Sequence, residues 1–346
     1  MLATFLEDAG RWFLHSGIRA PGGGVARYYR SDLKRNVPIS TEITGYAVST
    51  FSYLRSVTGD QVYRDAAIES AAFLANDAWN VDAHTFPFEI ASNLAYFFDV
   101  GIIVRGLLST DAEEFCGRAR DGALSLAFDF LGDGGFHPII ELPEKRPLDY
   151  ERAWSRRPGC YQLKSASAWL ALGEQHGARM FDHALESALR THESFLPGDP
   201  DRQRVMDRLH PYCYFLEALL FVARRDECAA VLAEGIERVA DLLRDISPEF
   251  ERSDVCAQLL RLRLAAHHLG VVSLDETAAA EEAQRVAGYQ AWSQDPRLDG
   301  GFWFGRRGGE MLPYMNPVST AFSLQALTLW KQHGAGNWQF DVAQLI

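Results

Sequence analysis

The sequence has 346 residues, with 46 Asp and Glu against 34 Lys and Arg and a formal net charge of −12 at pH 7. This acidic balance argues against nucleic acid and anionic membranes as partners, because both demand a clustered basic surface. No apolar run approaches the roughly 20 residues of a membrane span, and the first helical pattern lacks the apolar core of a signal peptide.

Along the chain, charged amphipathic helices alternate with apolar helices rich in small residues. Amphipathic helices are predicted over 2–16, 60–78, 111–131, 178–192, 226–244 and 275–292. Apolar helices are predicted from Thr41 to Leu54, Asn93 to Leu108, Tyr161 to Leu172, Pro211 to Ala223, Asp254 to His267, and Val318 to Trp330. The apolar helices recur every roughly 40 to 65 residues, which is the spacing of helical hairpins. Strand signals are confined mainly to 136–142, where a short hairpin arm is expected.

A helix that is apolar on nearly all sides must be walled in by other helices. Six inner helices are all buried if the chain closes on itself, so the pattern predicts an all-α (α/α)6 toroid of six inner and six outer helices. We expect residues 1–346 to form one such domain; an open solenoid and a two-lobed bundle are the alternatives. Connections from outer to inner helices are mostly long, and long loops are usually functional. The functional site is therefore expected at the N-terminal ends of the inner helices.

Glycine-aromatic turns precede several of these inner helices, as in Asp133-Gly134-Gly135-Phe136 and Asp299-Gly300-Gly301-Phe302-Trp303. With the six-fold helix-pair repeat, they make the chain resemble the six-hairpin glycosidase-like (α/α)6 superfamily. That resemblance is architectural, and it implies a carbohydrate-active enzyme: a glycoside hydrolase, an unsaturated-uronyl hydrolase or a sugar epimerase.

The same turn is similar to repeats of terpenoid cyclases and protein prenyltransferases, which also build α/α toroids. The Asp-x-Asp-Asp proton donor of the cyclases is absent from the sequence. Asp254-Val255-Cys256 resembles half of the prenyltransferase zinc site, but no histidine stands at the start of the next inner helix. An isoprenoid-handling toroid therefore remains the second choice.

Three carboxylates are candidate catalytic residues for glycoside hydrolysis, which needs one acid and one base or nucleophile. Glu42 and Asp254 begin the first and fifth inner helices, and Asp99 is expected about two turns into the second. Glu42 and Asp254 also suit the structural roles of a first-turn acid and an N-cap, and Asp99 that of a partner to a nearby cation. If the reaction is epimerisation or elimination, His210 and Tyr212 are the expected acid and base, with a capping histidine in an aromatic wall as the structural alternative.

Arginines and aromatic side chains in the long loops are candidates for binding a polar glycan, such as one that contains uronic acid. The substrate-binding candidates are Arg27, Tyr28, Arg30, Phe302, Trp303, Arg306, Arg307 and Asn316. The five cysteines form no CxxC pair, and they indicate reduced thiols in a cytoplasmic protein. No metal and no cofactor are predicted, and a zinc site formed by Cys160, Cys213, Cys256 and His210 is the alternative. A glycoside hydrolase is the first prediction; a sugar epimerase, a polysaccharide lyase and a non-catalytic glycan-binding protein are the alternatives.

Overall fold

The computed structural model describes residues 2–151, 153–196, 201–247 and 249–346. Twelve α-helices lie within these ranges: α1 Leu2–His15, α2 Thr41–Thr58, α3 Gln61–Ala72, α4 Phe97–Leu108, α5 Glu113–Phe128, α6 Gln162–Leu172, α7 Gln175–Phe195, α8 Arg202–Leu219, α9 Asp226–Ile246, α10 Ser253–His268, α11 Glu276–Ala287 and α12 Pro317–Gly334. A π-helical segment, Phe73–Ala78, continues α3. None of the described helices is long and apolar enough to cross a membrane.

Short strands occupy the connections between the helices and are more numerous than the sequence predicts. They are β1 Tyr29–Arg30, β2 Arg35–Asn36, β3 Leu94–Tyr96, β4 Leu131–Gly132, β5 Gly135–Phe136, β6 Ile139–Glu141, β7 Arg146–Pro147, β8 Phe250–Arg252, β9 Gly305–Arg307, β10 Glu310–Met311 and β11 Tyr314–Met315. Their orders are β11-β1-β2, β8-β9-β10, β3-β6-β7 and β4-β5, with every pair antiparallel. Strands of two or three residues lack room for alternating apolar and polar positions, which is why the sequence signal is weak.

Contacts between Cα atoms divide the chain into two units. The α2–α7 unit comprises Ala20–Ala26 and Pro38–Phe195, and the α8–α12 unit comprises Met1–Arg19, Arg27–Val37 and Leu196–Ile346. Each unit holds three of the predicted inner helices and three of the predicted outer ones. That residues 1–346 form one domain stays a prediction.

In the α2–α7 unit, α4 packs against both α2 and α6, and each of these helices also packs against the helix that follows it. Glycines make the close approach of the inner helices possible. A β-carbon at Gly101 would lie 2.6 Å from the Ser165 Cα on α6, and one at Gly106 would lie 2.5 Å from the Gly45 carbonyl oxygen on α2. The small residues that mark the inner helices in the sequence are therefore the packing surface between them.

In the α8–α12 unit, α10 contacts α8 on one side and α12 on the other, while α9, α11 and α1 cover the outside. The strand β8 precedes α10, and β9 precedes α12. The two strands pair with each other, with Glu251 opposite Arg306. Gly300 adopts a φ of +84°, and a β-carbon there would lie 2.7 Å from the Asp8 carbonyl carbon on α1. The Asp-Gly-Gly turn is thus shaped by its packing against an outer helix.

Each predicted inner helix overlaps an observed one, but the starts of α4 and α8 are wrong, and the observed ends of α2, α8 and α12 lie four residues from the predicted ends. The helix α4 begins at Phe97 because residues 94–96 pair as β3. The helix α8 begins at Arg202, nine residues before the predicted start at Pro211, which lies inside the helix. Proline suits a first turn and usually breaks a helix interior, so the sequence favours the wrong boundary here. Part of the predicted loop over 193–209 is therefore helical; residues 197–200 lie outside the described residues.

Candidate active site

The polar face of α8 meets the polar face of α10 inside the α8–α12 unit. Four residues of α8 have the spacing i, i+3, i+7 and i+10, which places them on one side of the helix: Asp207, His210, Tyr214 and Glu217. Three residues of α10 have the spacing i, i+4 and i+7 and also lie on one side of their helix: Asp254, Gln258 and Arg261. Side-chain exposure falls from 40% at Asp207 to 9% at His210 and 0% at Glu217. The two faces form a polar seam that runs from a solvent-exposed end into the core.

Gln258 holds the His210 imidazole in one orientation. The His210 Nδ1 lies 2.8 Å from Gln258 Oε1, and the Gln258 amide nitrogen lies 3.4 Å from the His210 carbonyl oxygen. Because the amide nitrogen donates to that carbonyl, the amide oxygen faces the ring and accepts the Nδ1 proton. No described residue forms a hydrogen bond with Nε2. We therefore assign the Nδ1-protonated tautomer, which places the imidazole lone pair on Nε2.

The charge of His210 follows from its burial. Burial lowers the pKa of the imidazole, and the Asp254 carboxylate, 3.5 Å from Nδ1, offsets only part of that effect, so the pKa is about 4. The rings of Tyr214 and Phe322 pack around the imidazole, with centroids 4.5 Å and 6.3 Å from its own. His210 is thus neutral near pH 7 and can accept a proton.

Arg252 fixes Asp254 as a carboxylate. The Arg252 Nε lies 3.0 Å from one Asp254 oxygen and a terminal guanidinium nitrogen lies 2.7 Å from the other, while the Val255 N–H donates to the first oxygen at 2.9 Å. Burial raises the pKa of Asp254, but Arg252 and His210 together outweigh it and leave the pKa below its usual value. A carboxylate bound in this bidentate way can stabilise a positive charge on His210. It has no proton to donate, and both its oxygens are already occupied.

Arg252 also connects this pair to the exposed end of the polar seam. Its guanidinium lies 3.4 Å from the Asp207 carboxylate and 4.7 Å from the centre of the Phe304 ring. Burial raises the pKa of Asp207, and the positive charges of Arg252 and Arg307 oppose that rise. Asp207 is therefore the acidic group of the seam that is both solvent-exposed and shifted toward its protonated form.

The buried end of the seam is an ion pair between Arg261 and Glu217, both fully buried. Arg261 also donates to the Gln325 side chain at 2.9 Å and to the Ile346 carbonyl at 3.3 Å, and its guanidinium stacks 4.0 Å from the Phe322 ring. This network ties α8, α10 and α12 together beneath the histidine.

Strand alternation separates the two arginines that the sequence places side by side. Successive side chains of a strand point to opposite faces. Arg307 packs 5.0 Å from the Phe250 ring and acts on Asp207, so it shares the face of Arg252. Arg306 lies opposite Glu251 and forms an ion pair with it at 2.9 Å on the other face. Of these two neighbouring arginines, Arg307 is the one on the Arg252 face of the strands.

Two of the predicted catalytic carboxylates belong to the α2–α7 unit. Glu42 lies in the first turn of α2 and is partly buried. Asp99 is 5% exposed and lies in the first turn of α4, because that helix begins at Phe97. Its predicted depth of two turns is therefore wrong. Burial raises the pKa of Tyr161, and the Asp99 charge raises it further. The two side chains are therefore close enough to interact electrostatically.

The remaining predicted residues lie in the α8–α12 unit with varied roles. Tyr212 points away from His210, since residues two apart do not share a helix face, and Arg238 of α9 lies 5.9 Å from its ring. Phe302 is fully buried, and the Asn316 side chain caps α12 by accepting from the Val318 N–H at 2.8 Å.

The binding candidates of the N-terminal loop lie beside β1 and β11. Arg30 forms an ion pair with Asp32 at 2.5 Å, and the Tyr28 ring contacts the Tyr314 ring at 5.4 Å. Arg27 is partly buried next to them. Trp303 is also partly buried, and its carbonyl accepts from the hydroxyl of Ser253, the residue before Asp254. A role for these residues in binding substrate stays a prediction.

Sequence reasoning missed Arg252, Asp207, Gln258 and Tyr214. Gln258 and Tyr214 lie one helical turn after Asp254 and His210, so the helical spacing contains the signal once each helix is placed. Asp207 falls in the segment predicted as a loop. Among the described residues no group of three or more His, Cys, Asp or Glu side chains is arranged to hold a metal ion.

No protein-family model matches the sequence, and no curated protein sequence matches it. Solved structures that are similar to the chain as a whole include an epimerase, a hydrolase and an isomerase. A sugar epimerase from a ruminal bacterium has a TM-score of 0.73 at 11% identity, covering 94% of this chain and 97% of that chain. An unsaturated glucuronyl hydrolase specific for heparin has a TM-score of 0.70 at 12% identity, covering 96% and 98%. A D-mannose isomerase has a TM-score of 0.69 at 9% identity, covering 96% and 97%.

These similarities show the fold. The chain is an all-α (α/α)6 toroid, as its helix-pair repeat predicts, and the predicted architectural resemblance is confirmed. At such identities the comparison carries fold and no activity, because one fold hosts many reactions. Function has to be argued from the site.

Proposed function

We propose that this protein is a carbohydrate-active enzyme, a sugar isomerase or epimerase that moves a proton at the carbon next to the carbonyl of an open-chain sugar. The observation that carries the proposal is the state of His210: a buried, neutral imidazole with Nδ1–H fixed by Gln258 and Nε2 left as an acceptor. Two of the similar structures, the sugar epimerase and the D-mannose isomerase, act in the same class of reaction.

In the proposed reaction the His210 Nε2 removes the proton from C2 of the aldose, and the electrons move into the C1 carbonyl to give an enediolate. Transfer of the O2 proton to O1, followed by return of the carbon-bound proton to C1, yields the ketose. Rotation of the intermediate so that the opposite face of C2 meets His210, followed by return of the proton to C2, yields the epimer. Asp254, 3.5 Å from Nδ1, stabilises the imidazolium that forms between these steps. Arg252 keeps Asp254 ionised throughout.

Glycoside hydrolysis is the second candidate, and Asp99 is the observation that favours it. A carboxylate that is 5% exposed in the first turn of α4 suits an acid or base of such an enzyme. Asp254 fits that reaction less well, because Arg252 occupies both of its oxygens. Arg30 also has an acidic partner, Asp32, so it gives little support to an anionic substrate at this site.

The proposal is tested by proton exchange with solvent. The enzyme is incubated in D2O with mannose, glucose, fructose and cellobiose, and proton NMR follows loss of the C2 proton and appearance of products. We expect exchange with the wild type and a loss of about 10²–10⁴-fold in His210→Asn, the usual contribution of a general base. His176→Asn, on the exposed outer helix α7, is the matched control and should keep full activity.

Exchange that survives in His210→Asn, or its absence with every sugar, overturns the proposal. Cleavage of an unsaturated uronyl disaccharide can be measured as a loss of ultraviolet absorbance. Such cleavage, if abolished by Asp99→Asn, would support the hydrolase instead.

A further inference from the structure

A cavity lies in the α8–α12 unit, on the face of β8 and β9 opposite to the His210 site. Its volume is about 370 Å³, and its walls include Arg285, Arg306, Tyr289, Gln284 and Glu281. This volume falls within the roughly 300–1,000 Å³ of typical small-molecule sites. The cavity is therefore large enough for a metabolite.

Glu251, a fully buried carboxylate, lies beneath this cavity. One of its oxygens accepts from the Tyr289 hydroxyl at 2.5 Å and from Arg306 at 2.9 Å, and Arg285 approaches the other oxygen at 3.4 Å. Two guanidinium groups thus converge on a single carboxylate. Both remain partly exposed, at 27% for Arg285 and 41% for Arg306.

Two guanidinium groups, of Arg285 and Arg306, and two carboxylates, of Glu251 and Glu281, lie at this place. A guanidinium has five N–H donors, and Glu251 occupies only some of those on Arg285 and Arg306. The two positive charges share one buried negative charge and repel each other across it. Glu281, one helical turn before Arg285 on the same face of α11, is the other acidic group in the cavity wall. An anion bound between the arginines would relieve their repulsion and use donors that already have fixed positions.

We propose that this cavity binds a phosphorylated small molecule, with its phosphate between Arg285 and Arg306. Two positioned guanidinium forks match the oxygens of a phosphate. The volume exceeds what a phosphate alone occupies, so the rest of the molecule lies along Tyr289 and Gln284. The site is distinct from the His210 site, since β8 presents Glu251 to one and Arg252 to the other.

Isothermal titration calorimetry tests the proposal with three probes at matched ionic strength: glucose 6-phosphate, inorganic phosphate and glucose. We expect the sugar phosphate to bind more tightly than free phosphate and glucose not to bind at this site. Equal binding of both phosphates would overturn the inference that the cavity takes a larger molecule.

Three variants test whether the sugar phosphate binds in this cavity. Arg285→Gln should weaken it by about 10–100-fold, the value of a charge-assisted hydrogen bond, and it leaves the closer Arg306–Glu251 pair in place. Glu281→Gln should strengthen binding, because it removes a negative charge from the cavity wall. Arg244→Gln, on the exposed face of α9, is the control and should bind as the wild type does.

His210→Asn separates this proposal from the proposed function. Binding that is unchanged in His210→Asn and weakened in Arg285→Gln supports a second site, whether or not His210 is catalytic. Binding lost in His210→Asn and kept in Arg285→Gln would place the ligand at the other site and overturn the proposal.

Discussion

The buried ion pair between Arg261 and Glu217 gives the strongest stability prediction. Arg261→Met removes the positive partner of a carboxylate that is fully buried, along with the hydrogen bonds of Arg261 to Gln325 and Ile346. Breaking a buried pair in this way costs about 3–5 kcal/mol, because the remaining charge has no solvent. Urea unfolding followed by circular dichroism should show a lower midpoint with an unchanged slope.

Two further variants separate charge from packing. Arg244→Met removes an exposed arginine paired with Asp241, and it should cost less than about 1 kcal/mol. Combining Arg261→Met with Glu217→Leu removes both buried charges, so most of the lost stability should return. The reasoning fails if Arg261→Met costs no more than Arg244→Met, or if the double variant is as unstable as the single one.

The other predictions concern packing and protonation. Gly101→Ala, whose new methyl would meet Ser165, should destabilise the protein by about 1–3 kcal/mol; Gly117→Ala, with nothing within 4 Å, should stabilise it by up to about 1 kcal/mol in the same urea titration. Because a protonated His210 cannot act as a base, kcat/KM should rise with pH through about 4, and an inflection near 6.5 would contradict the assigned pKa. In the unfolded chain the His210 pKa has its ordinary value of 6.5. The free energy of unfolding should therefore decrease as the pH falls from 6.5 to about 4, because only the unfolded state then binds a proton at this histidine. Asp254→Asn removes a charge that raises the His210 pKa, so it should lower kcat and move the acid limb to lower pH; an acid limb moved upward would contradict this electrostatic role.

The sequence predicts the inner helices well because burial on all sides leaves a strong compositional signal. It predicts the site less well for reasons that can be seen at single residues. Pro211 hides the first turns of α8, and with them Asp207. Once α8 is extended to Arg202, a helical spacing of three and four residues links Asp207, His210 and Tyr214 without further information.

Other features of the site cannot be obtained from local sequence. Arg252 is recognisable as a partner of Asp254 only when β8 is known to be a strand that enters α10, since two or three residues carry no periodic signal. Arg306 and Arg307 look equivalent in the sequence, yet their strand places one beside Glu251 and the other near Asp207. The burial that lowers the His210 pKa depends on Phe322, more than a hundred residues away along the chain.

The strand β8 also limits how the chain can vary over evolution. Connections between helices ordinarily tolerate insertions and deletions, which is why their lengths drift among related proteins. Within β8 a shift of one residue would exchange the two faces, placing the carboxylate of Glu251 where the guanidinium of Arg252 now binds Asp254. An insertion or deletion between Phe250 and Asp254 would therefore disturb both faces at once, whereas a substitution of one side chain disturbs one face. The feature of this segment on which both faces depend is its length.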